Sequence, residues 1–290
     1  MTGSGVTGSS VIGFGERLRA ALDAHGPLCV GIDPHEHLLR EWGLEVSAQG
    51  VREFALRTVE AAAGQVAIVK PQVSFFERWG SAGMAALEET LAAARSAGLL
   101  TLADAKRGDI GTTMDAYGEA WLTPGAPLEA DALTVNPFLG VGTLEGTFAL
   151  ALRDGKGVFV LAATSNPDAQ TSQRAQLPTG QTVSAQIVTE VSERNRSTTA
   201  PGEWASLGFV VGATVDWSDA GLSAPEPPTP ILAPGFGHQG AAPSDLVARF
   251  GAAAPSVVAS ESRSILSAGP VELPARIAER AAQYRRSVDV

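Results

Sequence analysis

The chain has 290 residues, close to the roughly 250 that one α/β barrel fills, and it carries 21 Lys and Arg against 31 Asp and Glu, a formal net charge of −10. That charge argues against a broad surface for nucleic acid or anionic membrane, so any bound anion must meet a local positive site. A single cysteine, Cys29, allows neither an internal disulfide nor a thiolate zinc site, a reducing cytoplasm is the default setting, and no stretch approaches the ~18 apolar residues of a membrane span.

Residues 1–10, a run rich in Gly, Ser and Thr, read as a loose leader, with one catalytic domain over 11–290. From there short β-branched runs alternate with Ala-rich stretches that carry charges at helical spacing. Strand Leu28–Asp33 leads to helix Ala48–Ala63, strand Gln65–Lys70, helix Ser81–Ala97, strand Leu99–Lys106 and helix Thr112–Leu122. Strand Ala132–Asn136 follows, then helix Gly142–Asp154, strand Gly157–Thr164 and helix Val183–Asn195. Strands Leu207–Thr214 and Pro230–Gly235, helix Ser244–Phe250, strand Ser256–Arg263 and helix Val271–Ser287 complete the series. Most strands are near-continuous apolar runs such as Val66-Ala67-Ile68-Val69, the mark of parallel strands covered on both faces. Gly64, Gly98 and Gly155 stand where helices should stop. Segments 166–180, rich in Gln, Thr, Ser and Pro, and 200–203 are excursions, the stretch 166–203 has the place of a lid, and the prolines of 223–230 form a stiff spacer. Eight such units read as a single (β/α)₈ barrel, although an open doubly wound sheet gives a similar pattern.

In such a barrel the catalytic residues project from the C-terminal ends of the strands. Those ends carry Asp33, Lys70, Asp104 with Lys106, Asn136, Thr164 with Ser165, the glycines around Gly235, and Arg263. On the third strand Asp104 and Lys106 stand at i and i+2 and share a face, and the run continues to Asp109 as D-x-K-x-x-D. Lys70 ends the neighbouring strand, so two lysines and two carboxylates are expected to converge. Singly, each is an ordinary solvated charge. Together they point to function, because a buried charge cluster is costly without a use. Gly235, Gly237 and Gly240 alone read as a plain turn, and Arg263, a planar fork of donors at the end of the next strand, is what gives that loop a use. His25, His35, His37 and His238 lack metal-site spacing and read as solvated.

The stretch Asp104-Ala105-Lys106-Arg107-Gly108-Asp109-Ile110-Gly111-Thr112-Thr113 strongly resembles the signature of the orotidine 5′-phosphate decarboxylase family. Gly31-Ile32-Asp33-Pro34, Val69-Lys70-Pro71-Gln72, Thr134-Val135-Asn136-Pro137, Thr164-Ser165-Asn166-Pro167, Gly235-Phe236-Gly237-His238-Gln239-Gly240 and Ser262-Arg263-Ser264-Ile265 resemble it in the same order. The likeness spans Phe14 to Gln283 and is to the longer bacterial branch. It implies decarboxylation of orotidine 5′-monophosphate to UMP in pyrimidine synthesis, with Lys106 as proton donor to C6. It implies Asp104 and Asp109 flanking that lysine, Asp109 reaching in from a partner subunit of a homodimer with shared sites, and neither metal nor organic cofactor. Lys70 and Asp33 then contact ribose hydroxyls, Gln239 and Arg263 with Gly237 grip the phosphate, and Ser165 bonds the base. Ile110, Thr113 and Asn136 join the substrate-binding set on the same ground.

The chemistry is coherent, since loss of CO₂ from C6 leaves a carbanion that no adjacent carbonyl can delocalise and only a fixed charge can stabilise. Two rivals stand beside it. Sugar-phosphate decarboxylases and aldolases share D-x-K-x-x-D but hold Mg²⁺ partly through a carboxylate on the second strand, where this chain has Lys70, which repels a metal. A silent nucleotide-binding barrel has no need of Lys70, Asp104, Lys106 and Asp109 together.

Overall fold

The computed structural model describes residues 11–288, so the leader expected at 1–10 lies outside the described residues. Eight parallel strands close on themselves in sequence order: β1 Leu28–Ile32, β2 Ile68–Pro71, β3 Leu100–Arg107, β4 Ala132–Val135, β5 Gly157–Ala163, β6 Leu207–Val211, β7 Ile231–Pro234 and β8 Val257–Glu261. The pairing of Leu28 with Ala259 and of Cys29 with Ser260 joins β8 back to β1, which excludes the open sheet.

Helices alternate with these strands: α1 Phe14–His25, α2 Glu36–Glu41, α3 Ala48–Ala62, α4 Ser74–Glu77, α5 Gly80–Ser96, α6 Gly111–Leu122, α7 Glu145–Arg153, α8 Gln170–Gln173, α9 Val183–Thr198, α10 Leu246–Phe250, α11 Arg263–Leu266 and α12 Gly269–Val288. The expected helices at Gly142 and Ser244 open as 3₁₀ turns, Val141–Leu144 and Pro243–Asp245, before α7 and α10 begin. Helices α2, α4, α8 and α11, of four to six residues, are too short to display a period in sequence.

Strand alternation sorts the core into two parts. Outward residues such as Val30, Val69, Ala103, Val135, Val160 and Phe209 pack beneath the helices, while Cys29, Ile68, Leu102, Phe159, Val210, Leu232 and Val258 fill the barrel's interior. The lower end of that interior is plugged by α1, whose Phe14, Leu18 and Leu22 form one buried stripe. Each such buried side chain contributes about 1.5–3 kcal/mol. Phe14 meets Phe159 edge to face at 5.9 Å, in space left because Gly157 has no Cβ; one built there would lie 2.4 Å from the Phe14 ring.

The N-terminal rim is stitched by charges. Arg17 on α1 donates to Asp131 at 2.7 Å and to the Gly155 carbonyl at 2.8 Å, and Asp131 also accepts the Thr101 N–H and hydroxyl at 2.9 and 3.0 Å. Lys156 donates to Glu129 at 2.6 Å. No helix of the described residues is long and apolar enough to cross a membrane.

Candidate active site

Going up β3, the inward positions change from Leu102 to Asp104 and then Lys106, so the apolar interior ends in charge at the C-terminal face. Lys70, inward on β2, donates to Asp104 Oδ2 at 2.9 Å, and Lys106 Nζ donates to Asp104 Oδ1 at 2.5 Å. One carboxylate therefore sits between two ammonium groups. Burial alone would raise the Asp104 carboxyl, but Lys70 and then Lys106 hold it far below the usual carboxylate range. Burial would likewise lower Lys70, but Asp104 and Asp33 hold it above an ordinary lysine. Burial pushes the Cys29 thiol, in the barrel below them, up to about 12.

Pairing of β3 with β4 slips here: Ala103 faces Leu133, yet the next paired residue is Arg107, opposite Val135. Lys106 takes up the slip with φ +52°, and it is the one non-glycine residue at positive φ among the described residues. Its N–H donates to the hydroxyl of Thr134 at 2.9 Å, and that hydroxyl donates to Asp104 Oδ1 at 2.9 Å.

The far side of the site comes from β7, β8 and β1. Gly237 opens the turn Gly237–Gln239 at φ +70°, where a Cβ would also strike Ser264 Oγ at 2.4 Å, so only glycine fits. Ser262 and Arg263 begin α11 directly after β8. Beneath them the outward-facing Glu261, wholly buried, accepts Ser264 Oγ at 2.6 Å, Tyr284 Oη at 2.5 Å and two donors of Arg280, which pins the turn to α12. Burial and then the Glu261 carboxylate push the Tyr284 hydroxyl far above the ordinary phenol range, so it stays a donor.

Asp33, Lys70, Asp104, Lys106 and Arg263 line one cavity of about 250 Å³, with Gly235, Phe236 and His238 along the side formed by the loop after β7. Two polar atoms there are buried and unpartnered, Asp33 Oδ1 and Ser262 Oγ. Such atoms are ready to bond a ligand's hydroxyl or phosphate oxygens. A wider furrow of about 890 Å³ between α6 and α7 lies on the outer wall and holds none of these strand-end charges.

Other expected positions stand apart. Asp109 does not join the Lys–Asp–Lys set of its own chain, because after Gly108 the backbone turns away and Asp109 Oδ1 accepts the Ile110 N–H at 2.8 Å. The convergence is thus of two lysines on one carboxylate, with Asp33 nearby, rather than on two from β3. Ile110 is 60% exposed and Thr113 is exposed on the first turn of α6. Asn136 falls just beyond β4, exposed, with Oδ1 taken by the Phe138 N–H at 3.0 Å. Ser165 is exposed and lines a separate cavity of about 100 Å³ with Thr164 and Gln173, the latter tying segment 166–180 to the top of β5 through paired bonds to Thr164. Gln239 ends the turn Gly237–Gln239 that follows β7.

One histidine differs from the solvated reading: His35, half-buried, packs on Phe75 at 4.4 Å with its pKa lowered by burial, whereas His238 is exposed at the edge of the cavity. Gln72 and Ser262 line the cavity and Thr134 bonds Asp104 beside it, three residues to which the sequence assigns no role; the inward period Ala132–Thr134 on β4 shows only that Thr134 faces the interior.

Fold and site together define a (β/α)₈ barrel enzyme with an ionised Lys–Asp–Lys set at its strand ends. Residues 26–276 match the model of the orotidine 5′-phosphate decarboxylase / HUMPS family, and the chain belongs to that family. Among curated relatives, the orotidine 5′-phosphate decarboxylase of Salinispora tropica is 49% identical over 89% of this chain and 91% of its own. That of Corynebacterium glutamicum (strain ATCC 13032) is 47% identical over 93% and 97%. A Streptomyces avermitilis crystal structure, provisionally given the same name, is 45% identical with a TM-score of 0.91 over 99% of this chain and 100% of that one. The Leishmania donovani OMP decarboxylase structure, 26% identical, superposes with a TM-score of 0.73 over 95% and 99%.

Proposed function

We propose that this chain, through the barrel of residues 11–290, converts orotidine 5′-monophosphate to UMP and CO₂ in cytoplasmic pyrimidine synthesis, with Lys106 as the proton donor. The observation that carries the reading is the Asp104 carboxylate held between Lys70 and Lys106 at the floor of the cavity. When the bond from C6 to the carboxylate carbon breaks, CO₂ leaves and the electron pair stays on C6. The Lys106 ammonium stabilises that pair and then transfers one proton to C6, and solvent reprotonates the amine. Asp104 keeps the ammonium aimed, and its own charge lies where the departing carboxylate must pass.

Arg263 and the backbone of the Gly237–Gln239 turn grip the phosphate, remote from the breaking bond, so that its binding orders the site. Asp33, whose Oδ1 is buried without a partner, and Lys70 take the ribose hydroxyls. Ser165, Asn136, Ile110 and Thr113 complete the base and rim contacts as the loops close.

Asp109 acts in the site of a second copy, and the homodimer is the catalytic unit. The surface around it supports this: Ile110, Phe138 and Leu139 are 60%, 86% and 50% exposed in one neighbourhood of loops following β3 and β4, an apolar patch suited to a second chain. No metal takes part, since the carboxylate a cation would need is already engaged by two ammonium groups. Turnover followed by loss of the orotate absorbance in excess EDTA tests the reading. Undiminished activity is expected, and activity that vanishes with chelator and returns with Mg²⁺ contradicts it.

A further inference from the structure

We infer that Thr134 is a positioning residue for the reaction: its hydroxyl ties the strained backbone of Lys106 to the carboxylate that aims the Lys106 ammonium. The inference rests on the role proposed above for Lys106 and Asp104. It starts from the slip between β3 and β4, where residues 104–106 face the single residue Thr134. Regular parallel pairing would give the Lys106 N–H a backbone carbonyl. Here it finds the Thr134 hydroxyl instead, at 2.9 Å, on a side chain with no exposure to solvent.

That choice fixes the direction of every proton around Asp104. An N–H can only donate, so the Thr134 oxygen must accept from Lys106, and its own hydrogen is left for Asp104 Oδ1, 2.9 Å away. Carboxylate Oδ1 then carries two donors, the Thr134 hydroxyl and the Lys106 ammonium at 2.5 Å, which occupy its two lone-pair directions. The ammonium therefore approaches along one direction only. The same hydroxyl holds the Lys106 backbone at φ +52°, a conformation an L-residue keeps only when its surroundings over-determine it. A valine at this position has nearly the same shape and makes neither bond.

The test measures kcat and KM on orotidine 5′-monophosphate for wild type, Thr134→Val, Thr134→Ser and Lys106→Ala, with active sites counted by calorimetric titration with UMP. Thr134→Val is expected to lower kcat per UMP-binding site about 10- to 100-fold with KM within about threefold of wild type. Thr134→Ser, which keeps both bonds, should return kcat to within about threefold. A purely structural role predicts fewer UMP sites with normal kcat per site, and that result overturns the inference. So does a Thr134→Val chain as fast as wild type, or a serine variant as impaired as the valine one, while Lys106→Ala is inactive. Should Thr134→Val yield no folded protein, Thr134→Ala is judged by the same criteria. A wild-type chain that leaves the substrate unchanged, or an active Lys106→Ala chain, overturns the underlying reading, and the inference with it.

Discussion

The two ends of this barrel both carry buried or half-buried charge, and they use it differently. At the N-terminal end Asp131 is bonded by Arg17 and by both donors of Thr101, in relaxed backbone with no orphaned oxygen. At the C-terminal end Asp104 is as well bonded, but the lysine it holds sits at positive φ, and Asp33 Oδ1 and Ser262 Oγ lack partners. One end is a finished structural joint. The other leaves hydrogen-bonding atoms unmet by its own chain. The difference teaches that buried charge by itself does not mark function; strain and unmet hydrogen bonds beside it do.

The comparison breaks most visibly at Lys106. Lys106→Ala is expected to lower kcat/KM at least about 10³-fold with little change in melting temperature, because counter-charge and proton source go together. Steady-state assay beside thermal denaturation checks this, and a variant within tenfold of wild type refutes it. The opposite pattern is expected below: Asp131→Ala should cost about 3 kcal/mol of stability in urea titration while kcat stays unchanged. A large loss of kcat in the folded variant would erase the distinction between the two ends. Next in size is Arg263→Ala, which should weaken UMP binding about 30-fold by calorimetry and leave uridine binding nearly unaltered. Equal losses on both ligands would place Arg263 away from the phosphate.

The smallest effect concerns pH. Burial would raise Asp131, but the Arg17 hydrogen bond and charge hold it below the ordinary range. Its stabilisation is therefore present above the unfolded value of about 4 and lost as pH falls through the lower folded value. The stability gap between wild type and Asp131→Asn should stay flat from about pH 5 to 8 and shrink below about pH 4. Asp104 obeys the same sign on the acid side, whereas Lys70, raised in the folded state, contributes below about pH 10 and loses that contribution as pH climbs through its folded value. A gap that widens toward acid would mean Asp131 is not stabilised by Arg17.

Much of this is legible in the sequence. The strand ends Asp33, Lys70, Asp104, Lys106 and Arg263 can be read because a charge closing an apolar run has only the barrel's mouth to occupy. Gly64, Gly98 and Gly155 end helices and do adopt positive φ. Helix α1 escapes because Gly13 supplies no side-chain cap, although Phe14, Leu18 and Leu22 already form a stripe. Thr134 escapes for a deeper reason: its importance comes from the slip between β3 and β4, which no local pattern records. The same holds for Glu261, which is legible as a charge but not as the anchor of Arg280 and Tyr284 from nineteen or more residues away. Asp109 and its apolar neighbours are a third case, since a single chain leaves them at an open rim.

That rim holds the central claim, a C-terminal face completed from outside its own chain. Mixing an Asp109→Ala chain with a Lys106→Ala chain, under conditions where subunits exchange, tests it directly. A shared-site dimer places both lesions in one pocket and restores Lys106 beside Asp109 of the partner subunit in the other. In an equimolar mixture half the dimers are then hybrid, each with one sound site, so activity should rise from two nearly inactive parents to about a quarter of wild type. Hybrid dimers shown by tagged co-purification, yet as inactive as their parents, would contradict the account and leave Asp109 working within its own chain.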